Sequence, residues 1–264
     1  MQTPPTDLDV TRIQQMLTTH TLGRAVRYRA VTTSTNDEVR QAASAGAAEG
    51  LVVVAEHQTH GRGQHGRTWD DTPHAQLMAS LLLRPNWLAP HHTIQLVNAF
   101  VLVLADTLTP LLSVPVTLKW PNDILVAGRK VAGVIGEGRL RNQHIDTLCI
   151  GWGLNVHDHP RTSNAGHDLA KHSTAIAHWT RVSPTRTDLL ALQLNAFEPV
   201  YQQLRHNPLA YQQRWYAAMQ HIVGQTRTVT TPTQTLHGTV TALNDDGSIV
   251  IAGQTIHAGM LHLA

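Results

Sequence analysis

The sequence predicts an α+β fold: a mixed or antiparallel sheet flanked by helices, followed by a small C-terminal β-barrel. Three observations carry this. Short apolar runs at Leu51–Ala55, Leu77–Leu83 and Val116–Trp120 have the length and bounding turns of buried strands. Helical patterns separate some of these runs but do not alternate with them regularly, which argues against an all-parallel sheet. From Ile222 onward the texture changes to short strands with tight turns, as in HIVGQTRTV, HGTVTAL and NDDGSIVI. The expected division is 1–219 for the main domain and 220–264 for the barrel, in a chain of 264 residues that is 42% apolar.

The elements follow in order. Asp9–Thr19 places Val10, Ile13 and Leu17 at helical spacing. Arg24–Val31 alternates weakly and reads as a strand. Ser34 or Thr35 can cap a helix over Asp37–Ala45, with Gly46 as its stop. His91–Thr109 is apolar on several faces (Ile94, Val97, Val101, Leu104, Leu108), which predicts a long, well-buried helix. Pro121 breaks the strand Val116–Trp120. Asp123–Val126 and Lys130–Ile135 then form a hairpin around Ala127-Gly128-Arg129. Asp146–Val156 is the next strand, running into GWGLN. Ser183–Leu204 and Asn207–Met219 are helices, and Asp246-Gly247 is a hairpin turn signal.

Composition narrows the function classes. No apolar run, Leu77–Leu83 and Asn98–Leu104 included, reaches membrane-spanning length, and MQTPPTDLDV carries no apolar signal-peptide core. The single cysteine, Cys149, lies in an apolar stretch and reads as a buried thiol in a reducing cytoplasm. A net charge of +2 without a basic run leaves no footprint for non-specific nucleic-acid binding. Eighteen histidines are scattered; His57 with His60, or His157 with His159, lack the ligand pattern of a metal site. Lysine occurs only at 119, 130 and 171, against seventeen arginines. Such a bias keeps lysine where a compact ammonium is needed, although Lys171 reads better as a solvated helix end.

Two strings carry chemistry. Glu56–Trp69, EHQTHGRGQHGRTW, sets Gly61, Gly63 and Gly66 among Arg62 and Arg67 between two strands, and closes on Trp69. Glycine allows close backbone approach and arginine offers a planar fork of donors, so this reads as an anion-binding loop. Lys119–Asp123, KWPND, projects Asn122 and Asp123 from a strand break, where an amide and a carboxylate are candidate magnesium ligands or simply a polar turn.

With Ser34-Thr35-Asn36, GRKVAG at Gly128–Gly133 and GWGLN at Gly151–Asn155, these strings resemble the biotin protein ligase family in order and spacing. The likeness extends through the C-terminal segment and covers nearly the whole chain. It implies a biotin/lipoate ligase-like catalytic domain with an SH3-like barrel. It also implies ATP-dependent activation of biotin to biotinyl-5′-AMP, then transfer to a lysine of biotin carboxyl carrier protein. Lys130 matches the family's catalytic lysine, which bridges the biotin carboxylate and the α-phosphate, with Arg62 and Arg67 beside it. Ser34, Thr35, Asn36, Gln58, Gly61, Arg62, Gly63, Lys130 and Gly133 would hold biotin. Arg67, Trp69, Lys119, Asn122 and Asn155 would hold the nucleotide, and Trp69 and Trp120 would wall the site. Asp123 and Asn122 would contact Mg2+, or Asp123 would orient Lys130. The glycine loop would be a lid that shields the mixed anhydride from water.

Two departures stand out. Gln64 replaces an arginine often found in the family's loop, so a cationic contact to the intermediate is missing unless His65 compensates, and weaker retention of the adenylate is expected. Fewer than 35 residues precede Ser34, too few for the DNA-binding domain of some members, so a monofunctional ligase without DNA binding is expected. Self-association as a homodimer through a sheet edge is left open. Two other readings compete: a lipoate or octanoate ligase, and a non-catalytic biotin- or nucleotide-binding module.

Overall fold

The computed structural model describes residues 6–166 and 168–262, with the side chain of His65 left out. Seven strands form the main sheet: β1 (Val26–Thr32), β2 (Val52–Gln58), β3 (Gln76–Leu83), β4 (Val116–Lys119), β5 (Asp123–Val126), β6 (Arg129–Arg141) and β7 (His144–Asn155). Their order is β1-β2-β3-β7-β6-β5-β4. The first pair is parallel and the other neighbours antiparallel, so the sheet is mixed. All eight residues of β3 are buried, as its continuous apolar run requires of a strand covered on both faces.

Helices cover both faces. α1 (Val10–Met16), α3 (Thr93–Leu108) and α4 (Arg186–His206) pack on one, where Phe100 of α3 lies 4.8 Å from Phe197 of α4 and 5.0 Å from Trp152 of β7. α2 (Thr35–Ser44) covers the other through Val39 and Ala42, against Val53, Leu82 and the buried Cys149. With its flanking turns α3 forms a stretch, Pro90–Leu111, that is long and apolar enough to span a membrane by length and composition. The sequence expectation that no run reaches that length is thus corrected. Most of the stretch is buried against the sheet and α4, which explains an apolar surface on several sides.

After α5 (Gln212–Met219) comes a five-stranded antiparallel sheet, β8 (Thr226–Thr230), β9 (Thr235–Leu243), β10 (Ile249–Ile251), β11 (Gln254–Ile256) and β12 (Met260–His262), in the order β11-β10-β9-β8-β12. It is consistent with an SH3-like fold. The loop after β9 docks on α3 and the turn after β4: the Trp120 indole donates to the Gly247 carbonyl at 2.8 Å and Gln95 donates to that of Asp245 at 2.6 Å.

Three local expectations are corrected. The β5–β6 hairpin turns on two residues, Ala127 and Gly128, both at positive φ, and Arg129 already belongs to β6. β6 continues to Arg141 and meets β7 at a second two-residue turn, Asn142-Gln143, also at positive φ. Ser34 is the N-cap of α2 but its side chain makes no capping bond, and Thr35 and Asn36 lie in the first turn, free to serve the site.

Candidate active site

A cavity open to solvent lies between β6–β7, the start of α2 and the glycine loop. Its floor is cut by glycines. A Cβ at Gly153 would fall 2.2 Å from the Trp69 ring, and one at Gly151 would fall 2.0 Å from Asn36 Oδ1, so both side chains rest directly on the sheet.

At one end the polar triplet is knitted into a network. Gln58 Oε1 accepts from the Thr35 backbone at 2.7 Å and from its hydroxyl at 3.1 Å. Ser80 Oγ lies 2.7 Å from Thr35 Oγ1 and 2.5 Å from Asn36 Oδ1, and Asn36 Nδ2 donates to Glu137 at 2.8 Å. Ser34, Thr35, Asn36 and Gln58 are all nearly inaccessible to bulk water and line the cavity.

At the other end stands Lys130. A register shift between Ile124 and Leu125 pairs Leu125 with Lys130 but Ile124 with Ala132, so Val131 is the extra residue of a β-bulge. In a regular strand Lys130 and Gly133 would face opposite ways. The bulge turns the Lys130 side chain onto the Gly133 side, 3.0 Å from where a Gly133 Cβ would be. The backbone is pinned there, since Lys130 N donates to His172 O at 2.8 Å and Lys130 O accepts from Thr174 at 2.9 Å.

The Lys130 ammonium lies 2.6 Å from Asp123 and 5.3 Å from the centre of the Trp69 ring. Lys119 reaches the other oxygen of Asp123 at 3.7 Å. Burial pulls the Lys119 ammonium below its ordinary pKa; Asp123 opposes this, while Lys130 and Arg67 add to it. One carboxylate thus balances two lysines, leaving net positive charge facing the cavity. Asn122 donates its amide nitrogen to the Val134 carbonyl, a bond that fixes the amide but does not engage its side-chain oxygen. The two oxygens of Asp123 each face a lysine, an arrangement in which the carboxylate can orient Lys130.

The loop between β2 and β3 is folded over the cavity. Arg62 and Thr68 form an antiparallel bridge, Gly63 N donates to Arg67 O at 2.8 Å, and Trp69 N to Gly61 O at 2.9 Å. Its tip is a 3-10 turn, Gln64–Gly66. Arg62, Gly63, Arg67 and Trp69 reach the cavity, as do Lys119, Asn122, Asp123, Lys130 and Gly133. Gln64 Oε1 and Trp69 Nε1 are buried without a hydrogen-bond partner among the described residues, places where a ligand could donate and accept.

Two expected residues are not brought there. Gly61 packs against the Trp69 carbonyl, 2.3 Å from an added Cβ. Asn155 is buried, accepting from Gln76 at 2.8 Å and donating to Thr174 O at 2.9 Å, so its amide ties β7 to β3 and to the segment that pins Lys130. Trp120 lines the cavity but also anchors the second sheet.

Several residues escaped the sequence reading. Ser80 was detectable as the lone hydroxyl in an apolar strand, and Gly151 and Gly153 as alternate glycines inside one. Gly259, Met260 and Leu261 also wall the cavity, and no local signal marks them. Behind the loop, Arg186 is fully buried and ion-paired to Glu56 at 2.6 Å and to Asp7, while His74 approaches Glu56 at 3.1 Å and His157 meets Asp7 at 2.7 Å.

Known proteins share this sequence and arrangement. The Biotin/lipoate A/B protein ligase family profile matches residues 28–155. The bifunctional ligase/repressor BirA of Bacillus spizizenii is 26% identical over 251 residues, spanning 95% of this chain and 76% of that protein. A biotin–[acetyl-CoA-carboxylase] ligase of Mycobacterium tuberculosis is 40% identical over 135 residues, 50% of this chain and 49% of that one. A biotin protein ligase from Aquifex aeolicus, solved in complex with biotin and ATP, superposes with a TM-score of 0.72 at 22% identity, covering 90% of this chain and 98% of that one. The profile lies over the strands, lid and lysine that build the cavity, and over that region the chain is similar to the biotin protein ligases.

Proposed function

We infer that this cavity joins biotin to ATP, forming biotinyl-5′-AMP and releasing pyrophosphate, and then transfers the biotinyl group to a lysine of biotin carboxyl carrier protein. The observation that carries the reading is Lys130, turned by a bulge into the cavity and held by Asp123 at 2.6 Å, opposite the buried Ser34–Asn36 network. The first step brings a carboxylate to a phosphate. Like charges meet there, so fixed positive charge between them lowers the barrier. Lys130 supplies it, with Lys119 and Arg67 nearby, and Asp123 orients both lysines without cancelling them.

Thr35, Asn36 and Gln58 offer donors and acceptors for the ureido ring of biotin, whose polar atoms must be satisfied once buried. The loop closes above with Trp69, excluding water from the anhydride. In the second step the neutral amine of the carrier lysine attacks the biotinyl carbonyl; the C–N bond forms as the C–O bond to phosphate breaks, AMP leaves with the electron pair, and the nitrogen sheds a proton to solvent. Magnesium bound with the nucleotide would offset its phosphate charge, with Asp123 and Asn122 as the cavity's candidate oxygen donors. A cytoplasmic setting suits these substrates and the buried thiol of Cys149.

The test is mass spectrometry of a biotin-carboxyl-carrier fragment incubated with enzyme, biotin, ATP and magnesium. The fragment gains one biotinyl group, and Lys130→Ala abolishes the gain while preserving the fold. Replacing biotin by lipoate gives no pyrophosphate; equal release from lipoate would favour the lipoate-ligase reading. Binding without pyrophosphate release would favour a non-catalytic module.

A further inference from the structure

Glu137 lies outside every motif, yet it touches the floor of the site and its lid together. It stands on β6 opposite Cys149 of β7 and reaches toward α2. One carboxylate oxygen accepts from Asn36 Nδ2 at 2.8 Å, and the other lies 3.5 Å from the Arg62 guanidinium and 3.8 Å from that of Arg40. Arg62 also meets Asp37 at 2.8 Å, and Arg40 bonds the same Asp37. The four charges close a ring of alternating sign: Glu137, Arg62, Asp37, Arg40. Three members sit on β6 and α2; Arg62 alone belongs to the lid.

The ring has two physical effects. A carboxylate only accepts, so Glu137 obliges Asn36 to turn its NH2 toward β6 and its oxygen toward Ser80, where that oxygen also presses on Gly151. The direction of a floor amide is therefore set from outside the cavity. Secondly, a single half-exposed ion pair contributes little, but here two carboxylates grip one guanidinium, and lid opening breaks both contacts in one motion.

We propose that Glu137 is a positioning residue of the biotin site, orienting the Asn36 amide toward the ligand's cyclic urea and drawing the lid closed through Arg62. This rests on the ligase reading. It predicts that floor and lid respond together when one carboxylate is neutralised, although Glu137 itself need not touch the ligand.

Glu137→Gln is the test, because it keeps shape while removing charge and letting the facing amides turn either way. Biotin-dependent pyrophosphate release gives the KM for biotin and for ATP; trypsin cleavage after Arg62 and Arg67, with biotin and ATP present, reports the lid. The expected result is a biotin KM raised about tenfold, from loss of a charge-assisted hydrogen bond, with kcat and the ATP KM changed less than about twofold. Ligand protection from trypsin is lost in the same variant. Arg40→Ala, which opens the ring without touching Asn36 or the lid, keeps a biotin KM within about twofold of wild type. An unchanged biotin KM with intact protection overturns the proposal. So does a uniform loss of kcat and both KM values with a lowered melting temperature, which marks a structural role. A wild-type protein that releases no pyrophosphate with biotin instead overturns the ligase reading itself.

Discussion

Gly153→Ala tests the lid with a single methyl group. A Cβ built at Gly153 lies 2.2, 2.5 and 2.7 Å from three carbons of the Trp69 indole. Carbon atoms pack at about 3.5–4.0 Å, so the ring must retreat by more than about 1 Å. The strand cannot yield instead, because β7 is paired along its length with β3 on one side and β6 on the other. Gly153 is not among the glycines at positive φ, so alanine suits its backbone and the clash is the whole perturbation.

Overpacking of this size costs about 1–3 kcal/mol, here charged to the closed lid rather than to the fold. The retreat also weakens the contact between Lys130 and the Trp69 ring, now 5.3 Å, worth about 0.5–2 kcal/mol. Together, at about 1.5–5 kcal/mol, they lower kcat/KM for biotin-dependent pyrophosphate release by about 10-fold to several-thousand-fold, with a melting temperature within a few degrees of wild type. In Trp69→Ala the obstacle is absent, so adding Gly153→Ala to it should do no further harm. Wild-type kinetics in Gly153→Ala, or a double variant much worse than Trp69→Ala, would refute the argument.

The other predictions concern the lid tip and the network behind it. Gln64→Arg places a cation beside the cavity where an amide oxygen now lies buried without a partner among the described residues, and should slow release of the adenylate about tenfold in a filter-retention assay; equal rates would remove the charge argument. Arg186→Leu strands Glu56 and Asp7 without their shared cation and should destabilise the protein by about 3–5 kcal/mol in urea unfolding. Acid sensitivity should trace partly to Asp7. Burial would raise its carboxyl, but hydrogen bonds from His157 and Arg186 outweigh this and hold it well below the usual carboxylate range. Its stabilising contribution is therefore complete above about pH 4 and fades as pH falls further, so Asp7→Asn should flatten the acid limb of a pH–stability profile measured by circular dichroism.

Much of the site was legible because its parts are contiguous strings with a chemical reason to be so. The triplet Ser34–Asn36, the glycine loop and Lys130 all face one cavity. Where reading failed, the cause was geometry that a string does not carry. Asn155 closes a strand motif, yet its amide is consumed by Gln76 and Thr174, partners 79 and 19 residues away. The Val131 bulge, which decides where Lys130 points, follows from pairing register and not from composition. The Arg186–Asp7 pair spans 179 residues of sequence, and arginine and aspartate each look like surface residues until the fold brings them together. The second sheet was readable from its turns, but its contribution to the cavity wall was not.

That last contribution bears on the order in which the cavity is built during synthesis. The floor, the lid and Lys130 all precede residue 156, so they emerge early from the ribosome, whereas Gly259–Leu261 come from the final described strand, which pairs back onto β8. The cleft is organised only after residues 172–174, which pin Lys130, and α4, which covers the sheet, have also been made, and its last wall arrives with β12. Chains stalled short of β12 should bind trypsin at the lid as a mature, unliganded enzyme does, yet release no pyrophosphate. The last wall of the cavity is thus supplied by the strand furthest along the described chain.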